Sequence, residues 1–232
     1  MPFSGLHERV SEIRGRISES AKRGGHGQEV RLIAVTKTHG PEAVRAAWDA
    51  GLTDVGENKV QEAFGKQDSL FAEGFAPAGL AWHLIGHLQT NKVKALSRFA
   101  LFHALDRPKL VDAASAEAVK QGVTLDVLVQ VNIVGEETKG GFSLTEVPQE
   151  AERLLSMPGL RVRGVMTMAP FDAEERVLRE VFAGARRAGE MLRAAGHDAR
   201  ELSMGMSGDY EIAVEEGATL VRLGTVLFGA RS

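Results

Sequence analysis

The stretch that decides the fold is RLIAVTK at residues 31–37, an apolar run that ends in Thr36 and Lys37. Consecutive aliphatic residues without polar alternation predict a strand buried on both faces, as in a parallel sheet. Similar runs recur along the chain, and segments with helical patterns separate them. The predicted strands are residues 31–36, 53–56, 81–85, 101–104, 125–133, 162–168, 201–204 and 220–223. This alternation predicts an α/β protein.

Eight strands with intervening crossovers predict a closed (β/α)8 TIM-type barrel, and 232 residues are within the usual length of one such barrel. An open, doubly wound sheet is the alternative, because a strand is easily lost or added in such a count. Helices are predicted at residues 41–50 and 173–195. We expect residues 1–232 to form a single domain.

The N-terminal segment predicts an extra helix, over residues 1–23, that packs on the barrel. Its apolar residues Leu6, Val10, Ile13 and Ile17 recur every three or four positions, which is typical of an amphipathic helix. The segment lacks the continuous apolar core of a signal peptide. No stretch of about 18 apolar residues occurs, so we expect no membrane partner.

The composition excludes several function classes. Lys plus Arg number 28 against 31 Asp plus Glu, so a net charge of -3 gives no electrostatic reason to expect nucleic acid as a partner. The chain has no cysteine, and therefore no disulfide, thiolate nucleophile or cysteine-ligated metal. This composition is typical of a reducing compartment, and we expect a cytoplasmic protein without a metal site.

In a barrel the functional site lies at the carboxyl ends of the strands, and Lys37 stands at the end of the first. A lysine at the rim of an apolar barrel is partly desolvated, which favours the neutral amine that attacks an aldehyde. Lys37 is therefore a candidate for Schiff-base chemistry. The alternative is a surface lysine just beyond a strand.

The last two strands end in residues suited to an anion. Gly224 and Thr225 end strand eight and open a short helix, where backbone N–H groups and a hydroxyl face a phosphate in many barrels. Ser207 offers a second hydroxyl after strand seven, although a tight structural turn is the alternative at these positions. Arg222 keeps its proton, so a ring nitrogen placed against it stays unprotonated; pairing with a carboxylate is the alternative.

Further polar residues stand near the predicted strand ends. Asn58 and His83 are candidates to hydrogen-bond a ring oxygen of a ligand or a helix end, and each also suits a purely structural role. Met168 is expected to pack around the barrel mouth. Residues 89–94, with one asparagine and two lysines, predict either a second anion site or a solvated helix start.

Five motifs in this order resemble the pyridoxal phosphate homeostasis protein (YggS/PROSC) family, over about residues 32–231. The motifs are Ala34-Val35-Thr36-Lys37, Gly56-Glu57-Asn58, Trp82-His83-Leu84-Ile85-Gly86, Leu202-Ser203-Met204-Gly205-Met206-Ser207 and Val221-Arg222-Leu223-Gly224-Thr225. The resemblance implies a fold-type III barrel similar to the N-terminal domain of bacterial alanine racemases. It also implies pyridoxal 5'-phosphate (PLP) as the cofactor.

The family resemblance assigns roles to individual positions. It implies PLP as a Schiff base on Lys37, phosphate contacts from Ser207, Gly224 and Thr225, and a pyridine nitrogen facing Arg222. The predicted cofactor-binding set is completed by Asn58, His83, Met168 and Ser203. These roles agree with the chemistry expected from the residues themselves, since a protein controls PLP through its lysine and the partner of the ring nitrogen.

The residues that set a racemase apart differ here. Racemisation needs two bases on opposite faces of the substrate carbon, and the racemases take the second from a tyrosine of a C-terminal domain. This chain has one tyrosine, Tyr210, predicted in the helix after strand seven. Pro41 stands where the racemases carry a phosphate-binding tyrosine, and Met168 stands where they carry a histidine near the arginine.

These departures predict a PLP carrier with little or no catalysis of its own that serves vitamin B6 homeostasis. Such a carrier would pass PLP to apo-enzymes, and we expect it to be a monomer or a weak homodimer. One alternative is a PLP-dependent racemase or another PLP enzyme acting on an unidentified substrate. A second alternative is a barrel enzyme that acts on sugar phosphates without PLP and uses Lys37 as a substrate-imine lysine.

Overall fold

The computed structural model describes residues 3–136 and 139–229, and in these residues eight parallel strands form a closed barrel in sequence order. The strands are β1 (Arg31–Val35), β2 (Asp54–Glu57), β3 (Ala81–Leu84), β4 (Leu101–Leu105), β5 (Leu125–Gln130), β6 (Leu160–Met166), β7 (Glu201–Ser203) and β8 (Leu220–Leu223). β8 pairs with β1, which closes the ring and excludes the open sheet. The predicted (β/α)8 barrel is confirmed.

One helix precedes the first strand, the others follow strands, and together they cover the outside of the barrel. They are α1 (Leu6–Gly24), α2 (Pro41–Asp49), α3 (Val60–Ala72), α4 (Pro108–Gln121), α5 (Val147–Leu155), α6 (Glu175–Ala195), α7 (Tyr210–Glu215) and α8 (Thr225–Phe228). A 3-10 helix, Thr90–Arg98, connects β3 to β4. Within residues 3–136 and 139–229, no helix is both long and apolar enough to cross a lipid bilayer.

The N-terminal helix α1 forms as its apolar spacing predicts, but it begins at Leu6 after a turn at residues 3–5, and residues 1–2 of the predicted span lie outside the described residues. Leu6, Val10, Ile13 and Ile17 are all buried, because the helix places them on one face. That face packs against α7 and α8, the two helices that flank β8. α1 therefore covers the side of the barrel where the last strand meets the first.

Seven strands differ from their predicted bounds, and two of them, β5 and β6, differ by more than one residue at an end. β5 ends at Gln130 rather than at residue 133, because Asn132 turns the chain into a loop in which its side-chain amide donates hydrogen bonds to the carbonyl oxygens of Glu136 and Lys139. β6 begins at Leu160, two residues before the predicted start, because its first residues pair with β5. Backbone pairing across strands decides these ends, and local hydrophobicity does not report it.

Candidate functional site

A cavity of about 770 Å³ opens where the carboxyl ends of the strands converge. This volume is within the ordinary range for a small-molecule site. The cavity brings together most of the predicted cofactor-binding residues. Those that line it are Lys37, Asn58, Met168, Ser207, Arg222, Gly224 and Thr225.

Two predicted residues, His83 and Ser203, lie below the cavity and are not among its described lining residues. His83 is the third residue of β3, and Ser203 is the last residue of β7. Their side chains are buried inside the barrel, where they hydrogen-bond to other protein groups. Neither side chain therefore faces the cavity directly.

The turn that presents Lys37 rests on a cluster of buried charges. Lys66 of α3 donates hydrogen bonds from Nζ to the Thr36 carbonyl oxygen at 2.7 Å and to Glu57 Oε1 at 2.6 Å. The Thr36 hydroxyl donates to the same Glu57 oxygen at 2.6 Å. Thr36, Glu57 and Lys66 are all buried, so this cluster fixes the backbone immediately before Lys37.

The next residue, Thr38, has a backbone φ of 69°, an uncommon conformation for a β-branched residue. Its N–H donates to Glu62 Oε1 at 2.5 Å, and Lys66 Nζ donates to the same oxygen at 2.8 Å. Burial acts to raise the pKa of Glu62, but these hydrogen bonds outweigh it and hold the pKa below its ordinary value. An ionised Glu62 thus stabilises the strained turn.

Arg222 forms part of the cavity floor and is held by neutral acceptors. Its Nη1 donates to the Ser203 hydroxyl oxygen at 2.6 Å, and its Nη2 donates to the Thr167 carbonyl oxygen at 2.9 Å. Within the described part of the chain it has no carboxylate within ion-pair distance. Burial lowers the pKa of Arg222 to about 10, opposed by the attraction of Asp209, so it remains charged at neutral pH.

The hydroxyl groups expected to meet a phosphate lie on neighbouring loops. Ser207 follows β7, and Thr225 follows β8 as the first residue of α8. The Ser207 hydroxyl oxygen accepts a long hydrogen bond, 3.4 Å, from the Val226 N–H. The loops after β7 and β8 are therefore adjacent, and both line the cavity. Gly224, which directly precedes Thr225, lines it as well.

Sequence reasoning missed six ionisable residues that line the same cavity: His39, His87, Asp106, Lys139, Asp172 and Asp209. His87 Nδ1 lies 2.7 Å from Asp106 Oδ2, and the carboxylate of Asp106 also pairs with Arg107. Lys139 Nζ donates to Glu136 at 3.0 Å and to the Ala169 carbonyl oxygen at 2.9 Å. Asp106 directly follows β4, so its place at a strand end could have identified it.

Residues 89–94 fall largely in the Thr90–Arg98 3-10 helix and contribute nothing to the described lining of this cavity. A hollow of about 720 Å³ lies elsewhere, against the N-terminal end of the barrel, and is lined by α1 residues together with Arg31 and Asp54. It contains none of the predicted cofactor-binding residues. The barrel-mouth cavity is thus the one that the predicted site describes.

The parallel eight-stranded barrel with a lysine at its mouth defines the class of the protein, the alanine racemase-like barrels. Comparison with known proteins identifies the same class. The model of the family "Alanine racemase, N-terminal domain" matches residues 10–232. The alanine racemase of Corynebacterium glutamicum has a similar fold, with a TM-score of 0.69 at 15% identity over 94% of this chain and 61% of that one. At this identity the likeness concerns the fold alone.

Relatives of higher sequence identity show which family with this fold the chain belongs to. The pyridoxal phosphate homeostasis protein of Aquifex aeolicus is 41% identical over 227 residues, which cover 97% of each chain. That of Pseudomonas aeruginosa is 40% identical over 99% of this chain and 97% of its own. PipY of Synechococcus elongatus, solved with PLP bound, has a TM-score of 0.84 at 35% identity and covers 97% of this chain and 100% of its own. The chain belongs to the pyridoxal phosphate homeostasis protein family.

Proposed function

We propose that this protein binds PLP as a Schiff base on Lys37 and serves PLP homeostasis in the cytoplasm. The observation that carries the proposal is the convergence of Lys37, Arg222 and the Ser207 and Thr225 hydroxyls on one cavity of about 770 Å³. PLP requires an amine that bonds to its aldehyde, a hydrogen-bond donor that faces its ring nitrogen, and hydroxyls that bind its phosphate. The PLP-bound homologue PipY supports the same assignment.

Each residue has a separate role in this proposal. Lys37 supplies the amine that bonds to the aldehyde carbon, while Ser207, Gly224 and Thr225 bind the phosphate. Arg222 has five N–H donors, and its two hydrogen bonds within the described part of the chain leave others for a ring nitrogen. PLP, when bound, is an electron sink. Arg222 weakens this property, because a permanent donor keeps the ring nitrogen unprotonated.

The same residues support a carrier with little turnover. Tyr210 is buried at the start of α7, and no tyrosine is among the described residues that line the cavity. The described lining therefore offers no tyrosine to act as the second base of a racemase. We propose that the protein holds reactive PLP and passes it to apo-enzymes.

Titration with PLP, followed by visible absorption, tests the binding proposal. We expect the unmodified protein to develop the absorption band of a PLP Schiff base with one equivalent of PLP. We expect no turnover with any proteinogenic amino acid at rates on the order of 1 s⁻¹. A protein that stays colourless with excess PLP would contradict the binding proposal, and ordinary enzymatic turnover would contradict the carrier role.

One observation favours a second candidate function, a PLP enzyme acting on an unidentified amine. Asp106 orients His87 through Nδ1, an arrangement that leaves Nε2 available as a general base in the cavity. If this candidate is correct, some amino acid gives turnover that His87→Gln removes while PLP absorption is unchanged. If no amino acid gives turnover, the pair has no catalytic role.

A further inference from the structure

Five buried polar side chains form a continuous hydrogen-bonded row through the barrel, from its N-terminal end to the cavity floor. They are, in order, Asp54 of β2, His83 of β3, His103 of β4, Ser203 of β7 and Arg222 of β8. The contacts are Asp54 Oδ1 to His83 Nε2 at 2.9 Å, His83 Nδ1 to His103 Nε2 at 2.9 Å, His103 Nδ1 to Ser203 Oγ at 2.8 Å and Ser203 Oγ to Arg222 Nη1 at 2.6 Å.

The arginine fixes the direction of the row at one end. A guanidinium group only donates, so the Ser203 oxygen accepts from Arg222. The one hydroxyl proton of Ser203 is then available for His103 Nδ1, which lies 2.8 Å away. If Ser203 donates this proton to His103 Nδ1, that nitrogen carries no proton, and the proton of the neutral imidazole is on Nε2.

The carboxylate fixes the direction at the other end. Asp54 accepts from the Thr53 hydroxyl and pairs with Arg31. Burial acts to raise its pKa, but hydrogen bonds from His83 and Thr53 outweigh this and keep the pKa below its ordinary value. An ionised Asp54 requires a proton on His83 Nε2. His83 Nδ1 is then the acceptor for His103 Nε2–H.

The opposite direction would add a buried positive charge. If His103 Nδ1 donated to Ser203, His103 Nε2 would accept from His83 Nδ1, and His83 would need a proton on both nitrogens. That imidazolium would lie in the same buried row as Arg222. Burial and the nearby charges of Arg222 and Arg31 lower the pKa of His103 well below its ordinary value, which also favours a neutral His103.

We propose that Asp54, His83, His103 and Ser203 are positioning residues for Arg222, and that they form a one-way row of hydrogen bonds in which both imidazoles are neutral and protonated on Nε2. The row presents the Ser203 lone pairs to Arg222 and turns the remaining guanidinium donors toward the cavity. It leaves Arg222 as the positive charge at the ligand's ring nitrogen. This last role rests on the proposed PLP function, whereas the proton positions do not.

The proton positions are measured directly by two-dimensional ¹⁵N–¹H NMR of the imidazole rings in PLP-free protein. We expect His83 and His103 each to show a protonated Nε2 and an unprotonated Nδ1 at about pH 7.5. Arg31, Asp54, Glu201, Asp209 and Arg222 are the other charged groups at or near the row. A proton on His103 Nδ1, or two protons on either ring, would overturn the inference even if PLP binds as proposed.

A pair of variants separates positioning from packing. His103→Asn keeps an acceptor where Nδ1 stood but leaves space, whereas His103→Leu fills the space without an acceptor. We expect PLP binding to weaken about tenfold in His103→Leu, with a shifted absorption maximum, and to stay within about threefold in His103→Asn. Equal binding by the wild type and His103→Leu, or an equal loss in both variants, would contradict the positioning role. If neither variant folds, the NMR measurement on the unmodified protein decides.

Discussion

The two residues that define the candidate site, Lys37 and Arg222, are supported by opposite kinds of polar group. Beneath Lys37 the supports are ionised: Lys66 joins Glu57 and Glu62 and holds the turn through the Thr36 carbonyl oxygen. Beneath Arg222 the supports are neutral up to the far end of the row, because Ser203 and His103 are uncharged.

The difference follows from what each position must do. A lysine that attacks an aldehyde needs a fixed backbone, and buried ion pairs fix a backbone at the cost of strong sensitivity to the loss of one partner. An arginine that faces a ring nitrogen must keep its charge directed at the ligand. A carboxylate bonded directly to Arg222 would neutralise that charge, whereas a hydroxyl only orients the guanidinium. Ion pairs thus fix the backbone next to Lys37, whereas neutral groups orient Arg222 without neutralising its charge.

The largest expected effect is the loss of the cation beneath Lys37. Lys66→Met leaves Glu57 as a buried charge without its partner, and we expect a destabilisation of about 3–5 kcal/mol in urea unfolding. The control Lys59→Met, at the exposed residue that precedes α3, should change stability by less than about 0.5 kcal/mol. Adding Glu57→Leu to Lys66→Met should recover part of the loss, and a double variant no more stable than the single one would contradict the ion-pair explanation.

The second effect concerns the lysine itself. Lys37→Ala removes the amine, and we expect PLP affinity to fall by on the order of 100-fold and the visible absorption band to disappear. Lys139→Ala is the matched control, because Lys139 lines the same cavity. We expect it to keep the band. Loss of the band in Lys139→Ala alone would reverse the roles of the two lysines.

The third effect concerns Ser203, the neutral residue that accepts a hydrogen bond from Arg222. Ser203→Ala leaves Arg222 Nη1 and His103 Nδ1 as buried groups without their shared partner, so we expect a destabilisation of about 2 kcal/mol. The exposed Ser97→Ala serves as the control in the same unfolding measurement. If the two substitutions cost the same, Ser203 does not connect His103 to Arg222.

The smallest effect is a pH dependence. Burial and neighbouring positive charges lower the pKa of His103 in the folded protein below its ordinary value of 6.5, so the unfolded chain binds the extra proton first as pH falls. This stability is fully present above about pH 6.5 and decreases at lower pH, by at most about 1.4 kcal/mol per pH unit. Urea unfolding at several pH values should show a steeper decrease for wild type than for His103→Asn. Parallel curves would mean that His103 titrates normally.

The sequence predicted the parts of this site that stand at strand ends. Lys37, Ser207, Gly224 and Thr225 each follow a recognisable apolar run, and parallel strands of a barrel bring their carboxyl ends together. No pairing information was needed for these residues. The barrel itself was predictable for the same reason, since eight buried strands alternate with helices.

The row beneath Arg222 was not predictable in the same way. His103 lies inside the apolar strand β4, and its contacts come from β3 and β7, so its meaning depends on strand register. The sequence did show polar residues at inward positions of several strands. A single sequence does not report which of these residues contact one another. His83 was associated with the ligand for this reason, although its partners are Asp54 and His103.

Borohydride reduction of the PLP-loaded protein, followed by peptide mass mapping, tests the covalent site most directly. Reduction converts a Schiff base into a stable amine and so marks the lysine that carried PLP. We expect the pyridoxyl mass on the peptide that contains Lys37. A pyridoxyl mass on Lys139, the other described lysine that lines the cavity, or on no peptide at all, would contradict the assignment of Lys37 as the residue that holds PLP.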